Sequence, residues 1–262
     1  MREGLRSRLE RMRRRRSGAF ADHTRGDYQH RAQREGHPVQ RFWHAHKWPL
    51  VEAELDLGPG DRVLDVGAGS SEVPLALAER CRLACALDAS PAPLHFLREI
   101  AGGQPRLHLA AGDLRALPFR EASFDRIAVL EVVEHVPPDA VAGYLGELRR
   151  LLAPGGRLLL TTPNYRSLWP VLEFLIDHLG GAAQMGGAQH IARFHPRRLR
   201  SALETNGFRV LRSGSVYHLS PFLSPLAPAL AERLFAWEAR RGGRLGPILF
   251  AVAEPAGTTS PA

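Results

Sequence analysis

The sequence predicts an α/β fold: a doubly wound, mostly parallel sheet of seven strands, with insertions. Three observations predict it. Residues 62–71, Arg-Val-Leu-Asp-Val-Gly-Ala-Gly-Ser-Ser, read as a buried strand, a glycine turn and the approach to a helix. Short apolar runs then alternate with helical spacing along most of the 262 residues. An acid also stands at the exit of each of the first three strands: Asp65, Asp88 and Asp113. Ligands of such sheets bind beyond the carboxyl ends of the strands, so three acids there mark a polar, partly cationic ligand.

The elements follow in order. Residues 1–26 read as an Arg-rich, mobile arm, and residues 27–254 as one domain. Helical spacing over residues 40–55 has a restart expected at Pro49. After the turn Leu57–Gly60 comes the first strand, and the first sheet helix opens near Glu72. Leu83–Leu87 is a second strand, and Ser90-Pro91 caps a helix to about Ile100. Leu107–Ala111 and Phe124–Leu130 are strands three and four. Pro137-Pro138-Asp139 starts a helix to Leu152, and Arg157–Thr162 is strand five. Residues 163–195, with one apolar helix near 168–179, and 214–247 are long connections on the ligand side, expected to form a lid. Pro196–Asn206 is a helix, Phe208–Leu211 strand six and Ile248–Ala253 the last strand. Residues 255–262 read as a disordered tail.

The net charge of +8 is concentrated at one end. Residues 1–16 hold eight Arg and two Glu, which leaves the body close to neutral. A basic face for nucleic acid is therefore not implied. Lys47 is the only lysine, so the Arg bias is chain-wide. Cys81 and Cys85, four apart, fit neither a redox motif nor a disulfide framework and read as reduced, buried thiols. No apolar stretch follows the basic N-terminus, and no run of about eighteen apolar residues occurs. A cytoplasmic protein is the expectation.

The glycine turn discriminates between ligands. A dinucleotide fingerprint wants Gly or Ala where Glu72 stands, and Asp65 would face and repel a pyrophosphate. The same carboxylate suits a ligand with an ammonium and a sulfonium. S-adenosylmethionine carries both and has no phosphate.

At this point the chain resembles the class I S-adenosylmethionine-dependent methyltransferases over about residues 40–214. Val-Leu-Asp-Val-Gly-Ala-Gly resembles the family's first motif, and Leu152-Ala153-Pro154-Gly155-Gly156-Arg157 its turn into strand five. The resemblance implies a Rossmann-like fold and S-adenosyl-L-methionine as cofactor. It places Asp65, Gly67, Ala68 and Gly69 at the methionine part, and Asp88 with Ala89 at the ribose hydroxyls. Asp113 and Leu114 fall at the adenine, and Glu131 also among the cofactor contacts. Ser71 departs from the pattern, standing where the family usually has a third glycine.

Glu131-Val132-Val133-Glu134-His135 resembles a segment of ubiquinone-biosynthesis O-methyltransferases and of small-RNA 2′-O-methyltransferases. That resemblance implies a divalent metal, Mg²⁺ or another, on Glu131, Glu134, His135 and His190. Without a metal, the acids read as cofactor contacts or as a cap on the next helix. His135 and His190 are the catalytic candidates, as general base or metal ligand. Thr161, Thr162 and Asn164 are expected to line the acceptor pocket. The leading expectation is methyl transfer to oxygen of a small, lipid-like acceptor. An RNA methyltransferase and a non-catalytic cofactor-binding scaffold are the alternatives. Peripheral membrane contact through the arm and residues 219–237 is a further expectation. Oligomeric state is not legible.

Overall fold

The computed structural model describes residues 26–113, 116–170 and 190–257. Three helices lead in: α1 (Tyr28–Glu35), α2 (Pro38–Ala45) and α3 (Lys47–Leu55). Then come β1 (Arg62–Val66), α4 (Val73–Arg80), β2 (Leu83–Asp88), α5 (Pro91–Ile100), β3 (Leu107–Ala111) and β4 (Phe124–Leu130). A 3₁₀ turn at Val133–His135 precedes α6 (Val141–Leu151) and β5 (Leu152–Pro163). The chain ends through α7 (Pro196–Thr205), β6 (Phe208–Val216), α8 (Ser220–Leu223), α9 (Pro228–Arg241) and β7 (Ile248–Pro255).

The sheet has seven strands in the order β3-β2-β1-β4-β5-β7-β6. The first five are parallel, and β7 runs antiparallel to both neighbours. The order reverses at β1, so a crevice opens beyond β1 and β4. In-register pairing brings Val66 level with Leu87 and Val129, which aligns the strand exits that carry the site.

Side chains alternate across the sheet and divide the core in two. Leu64 and Val66 of β1 pack with Tyr144, Leu148 and Leu203 on one face. Val63 packs with Leu50, Val51, Leu77 and Phe235 on the other. Asp65 shares the parity of Val63 and therefore faces the side that carries α3. That parity, set by the strand alone, aims a carboxylate toward Lys47.

The structure revises several expected boundaries. α1 has polar composition, with one buried residue, Ala32, and its low apolar content hides the helix. The break after α2 falls at His46, while Pro49 sits in the first turn of α3. An N–H is unpaired in a first turn anyway, so proline costs little there. β5 begins at Leu152, five residues early, because the Pro-Gly-Gly turn is drawn into the strand. β6 extends to Val216, so the first residues assigned to the second lid belong to the sheet. β7 reaches Pro255, opposite Phe208, one residue into the expected tail. The arm (1–25), most of the first lid helix (171–179), Leu114 and residues 258–262 lie outside the described residues. No described helix is long and apolar enough to cross a membrane. Cys81 and Cys85 are free and buried, and burial pushes the thiols up to about 11 and about 12.

Candidate active site

The glycine turn is built by backbone geometry that only glycine adopts without strain. Gly67 has φ +70°, and an added Cβ would stand 2.4 Å from Val132 Cγ2. The amides of Gly67 and Ala68 both donate to the carbonyl of Leu87 at the end of β2. Gly69, at φ +54°, donates its amide to Asp88 Oδ2 at 2.9 Å. Asp88 Oδ1 accepts from the amide of Ser90, so one carboxylate ties the first turn to the start of α5. Asp88 is half-buried, and each oxygen keeps acceptor capacity for a ribose hydroxyl. Ala89 and Asp113 are exposed beside it.

Asp65 is fully buried, and its Oδ2 has no partner among the described residues. Burial pushes its carboxyl up to about 7; Lys47 opposes the shift and the charge of Asp88 adds to it. An orphaned buried carboxylate beside glycine turns fits a ligand that brings its own cation.

Lys47 escaped the sequence reading because its role comes from contacts distant in the chain. Its side chain is 6% exposed, and its ammonium lies 3.6 Å from Glu131 Oε2. Glu131 Oε1 accepts from the indole N–H of Trp43 at 3.1 Å. Trp43 belongs to α2, so the helices before the sheet complete the site. α1 reaches it too: the amide of Gln29 donates to Ser70 Oγ at 2.9 Å, and its side chain lies against Gly69. α1 thus covers the turn, and the open cavity lies beside it. That space, about 620 Å³, runs between α1, the end of α2, α3 and α4, lined by His30, His44, Trp48 and Glu72 among others. It includes none of the residues assigned to the cofactor.

Beyond β4 the chain bends sharply. Glu131 has φ +61°, and its amide donates to Thr161. The 3₁₀ turn follows at once. This bend separates two carboxylates expected to converge. Glu131 turns to Trp43 and Lys47, while Glu134 turns inward, where Thr162 Oγ1 donates to its Oε2 at 3.0 Å. Glu134, His135 and His190 bring ligand atoms within 4.8 Å of one another, and Glu131 is outside that group. Glu134 is fully buried, and its Oε1 has no partner among the described residues. Burial pushes its carboxyl up to about 8. The amides of Ile191 and Ala192 donate to the Glu134 carbonyl, which anchors His190 beside it.

The His135 and His190 rings stand 5.0 Å apart, and Tyr165 Oη lies 3.1 Å from His190 Nδ1. Buried aromatic rings lie behind the cluster: Trp169 at 6.2 Å from His190, Trp43 at 5.6 Å from Trp169, and Tyr217 stacked on Trp43 at 4.5 Å. The hydroxyls of Thr161 and Thr162 brace Glu131 and Glu134 from behind. Asn164 Nδ2 donates to the carbonyls of Arg244 and Gly246, so it pins the β7 approach. His195 caps α7 by accepting from the amide of Arg198.

Parts of the chain are similar to known proteins. Residues 64–160 match the family model described as a methyltransferase domain. A demethylmenaquinone methyltransferase of Mycobacterium sp. (strain KMS) is 38% identical over 130 residues, 48% of this chain and 52% of that one. A ubiquinone biosynthesis O-methyltransferase of Xanthomonas oryzae pv. oryzae (strain PXO99A) is 35% identical over 153 residues, 56% of each chain. The chain thus spans about half the length of the curated relatives it matches. A crystal structure of an S-adenosylmethionine-dependent methyltransferase from Mesorhizobium loti shares the fold, with TM-score 0.57 and 19% identity over 79% of this chain and 96% of that one. The matched segment carries the glycine turn, Asp65, Asp88, Glu134 and His135, and over that segment the chain is similar to the methyltransferase-domain family.

Proposed function

We propose that the chain transfers a methyl group from S-adenosylmethionine to an oxygen of a small, flat, lipid-like acceptor of the quinone type. The meeting of Glu134, His135 and His190 just beyond the exit of β4 carries this reading. The names of two relatives support it, since both contain a quinone and one specifies oxygen.

The cofactor supplies a methyl already activated on a sulfonium. The chain's residues bind, orient and move the proton. Asp65 gives its buried carboxylate to the ammonium, and Asp88 accepts from the ribose hydroxyls. Gly67 and Gly69 hold the turn that follows Asp65 in its left-handed backbone, and Asp113 takes the adenine side. Trp43, Trp169 and Tyr217 are packed in the core and back Glu131 and His190 from behind. His135 or His190 accepts the proton of the attacking hydroxyl, with Tyr165 holding the His190 ring.

Glu134, His135 and His190 also fit a divalent ion. One carboxylate and two imidazoles suit Mn²⁺ or Zn²⁺ and tolerate Mg²⁺, and the orphaned Oε1 of Glu134 supports a cation there. Such an ion would hold acceptor oxygens and make the attacking hydroxyl more acidic. Glu131 stays with Trp43 and Lys47.

The test is methyl transfer to a catechol or hydroquinone, read as demethylated cofactor. Turnover is expected, with His135→Ala and His190→Ala each losing roughly a hundredfold or more. Loss of turnover on chelation, restored by added metal, would assign a ligand role; indifference would leave metal-free bases. Turnover only with a short RNA carrying a free 3′ end would overturn the small-molecule reading.

A further inference from the structure

The insertion between β6 and β7 carries an outer face that no described element covers. α9 buries Ala231, Phe235, Glu238 and Ala239. Its other side presents Leu230, 53% exposed, and Trp237, 50% exposed, with Arg233, Arg240 and Arg241. Residues 230, 233, 237 and 241 are three or four apart and so form one stripe along the helix. Leu219, Phe222 and Leu226 lead into the helix and are exposed as well, Leu226 at 86%. The guanidinium of Arg241 lies over the Trp237 ring at 5.3 Å.

Charge on this segment is one-sided. Residues 219–245 hold four arginines and two carboxylates. Neither carboxylate lies in the stripe, although Glu232 is itself 61% exposed. Glu232 meets His46 Nε2 at 2.6 Å. Glu238 is buried and accepts from the amides of His218, Leu219 and Ser220. The bare face is therefore apolar and cationic together.

We propose that this face docks the protein on an anionic phospholipid surface. Leu and Trp beside Arg on one side of a helix is the composition of a helix lying in the membrane interface. Anionic headgroups attract the arginines, and the apolar side chains enter the boundary with the acyl chains. The segment begins two residues after Tyr217, whose ring stacks on Trp43 in the candidate active site. Docking thus sets the protein at a bilayer, where an apolar acceptor would dissolve. The inference does not depend on methyl transfer, because lipid binding is read by itself.

The experiment is co-sedimentation of the full chain with vesicles of phosphatidylcholine alone and of phosphatidylcholine mixed with phosphatidylglycerol. Binding is expected to the mixed vesicles and to weaken as salt rises. Arg233→Gln, Arg240→Gln and Arg241→Gln together should lower the partition coefficient on the order of a hundredfold. Leu226→Ser, Leu230→Ser and Trp237→Ser together should lower it roughly tenfold or more, with the melting temperature unchanged. A wild-type chain that stays in the supernatant overturns the proposal. So do variants that bind as well as wild type, which would assign binding to another part of the chain such as residues 1–16. A lipid-free dimer that the same apolar substitutions dissolve would assign the face to a second copy, and overturns it too.

Discussion

Asp65 shows how one buried residue couples ligand charge to pH. In the free protein its carboxyl titrates near 7, raised chiefly by burial. Its folded value lies above its unfolded value, so the folded state holds the proton more tightly. This contribution to stability is full at low pH, falls as pH rises above about 4, and levels off once the folded carboxyl ionises above about 7. Ligand binding has the opposite dependence. A cationic ligand favours the ionised carboxylate, so affinity for S-adenosylmethionine should rise as pH climbs through 7 and flatten above it. Below 7, binding should release a proton. Calorimetry at pH 6 and pH 8, in buffers of different ionisation enthalpy, would show both effects. Asp65→Asn should remove them. A pH-independent affinity in the wild type would mean that Asp65 does not meet the ligand's cation. The acid itself was readable, as the residue two before the first glycine. The charge that opposes its shift was not, because Lys47 comes near only through the packing of α3 on the sheet.

At the scale of elements, the glycine turn illustrates what spacing reveals and what it hides. Strand, turn and helix were legible because a period of two gives way to glycine and then to helical spacing. The partner of each glycine was not. Gly67 faces Val132 of the bend after β4, while Gly69 faces the flexible end of Gln29 in α1. Their substitutions should therefore differ. Gly67→Ala combines a left-handed backbone with a clash against a stiff, buried, β-branched side chain, and should cost about 2–4 kcal/mol. Gly69→Ala keeps the backbone cost, about 1–2 kcal/mol, and pushes aside a side chain that can rotate. Urea denaturation of both variants would measure the difference, and equal costs would refute Val132 as a fixed wall. The bend at Glu131 escaped prediction for the same reason. A glutamate at φ +61° is held by the amide contacts to Thr161 on the neighbouring strand, and nothing in Glu-Val-Val-Glu-His announces it.

The whole molecule depends on how the helices before β1 are fixed to the last strands, since these two regions supply Trp43, Lys47 and Tyr217. Sequence order separates them by more than 150 residues. Arg212 of β6 joins them: its guanidinium donates to Glu54 of α3 and to the carbonyls of Ala239 and Arg240 in α9. It also lies over the Phe250 ring of β7 at 5.2 Å. Glu54 is 3% exposed, and burial pushes its carboxyl up against the opposing pull of Arg212. Arg212→Met would leave that carboxylate buried without its partner. Arg212 is 38% exposed, and water can partly replace it, so the cost should be at the lower end for a broken buried pair, about 2–3 kcal/mol. Glu54→Gln on the same background should recover part of the loss, because a neutral amide is cheaper to bury than an unpaired charge. A double-mutant cycle by denaturation would measure the coupling. The functional consequence separates this node from an ordinary surface pair. If it holds α3 against β6 and α9, Arg212→Met should also weaken cofactor binding under conditions where the variant remains folded, although Arg212 touches none of the residues assigned to the cofactor. Unchanged affinity with reduced stability would show that Lys47 and Trp43 are positioned by their local packing on the sheet, and that Arg212 stabilises the fold without ordering the site.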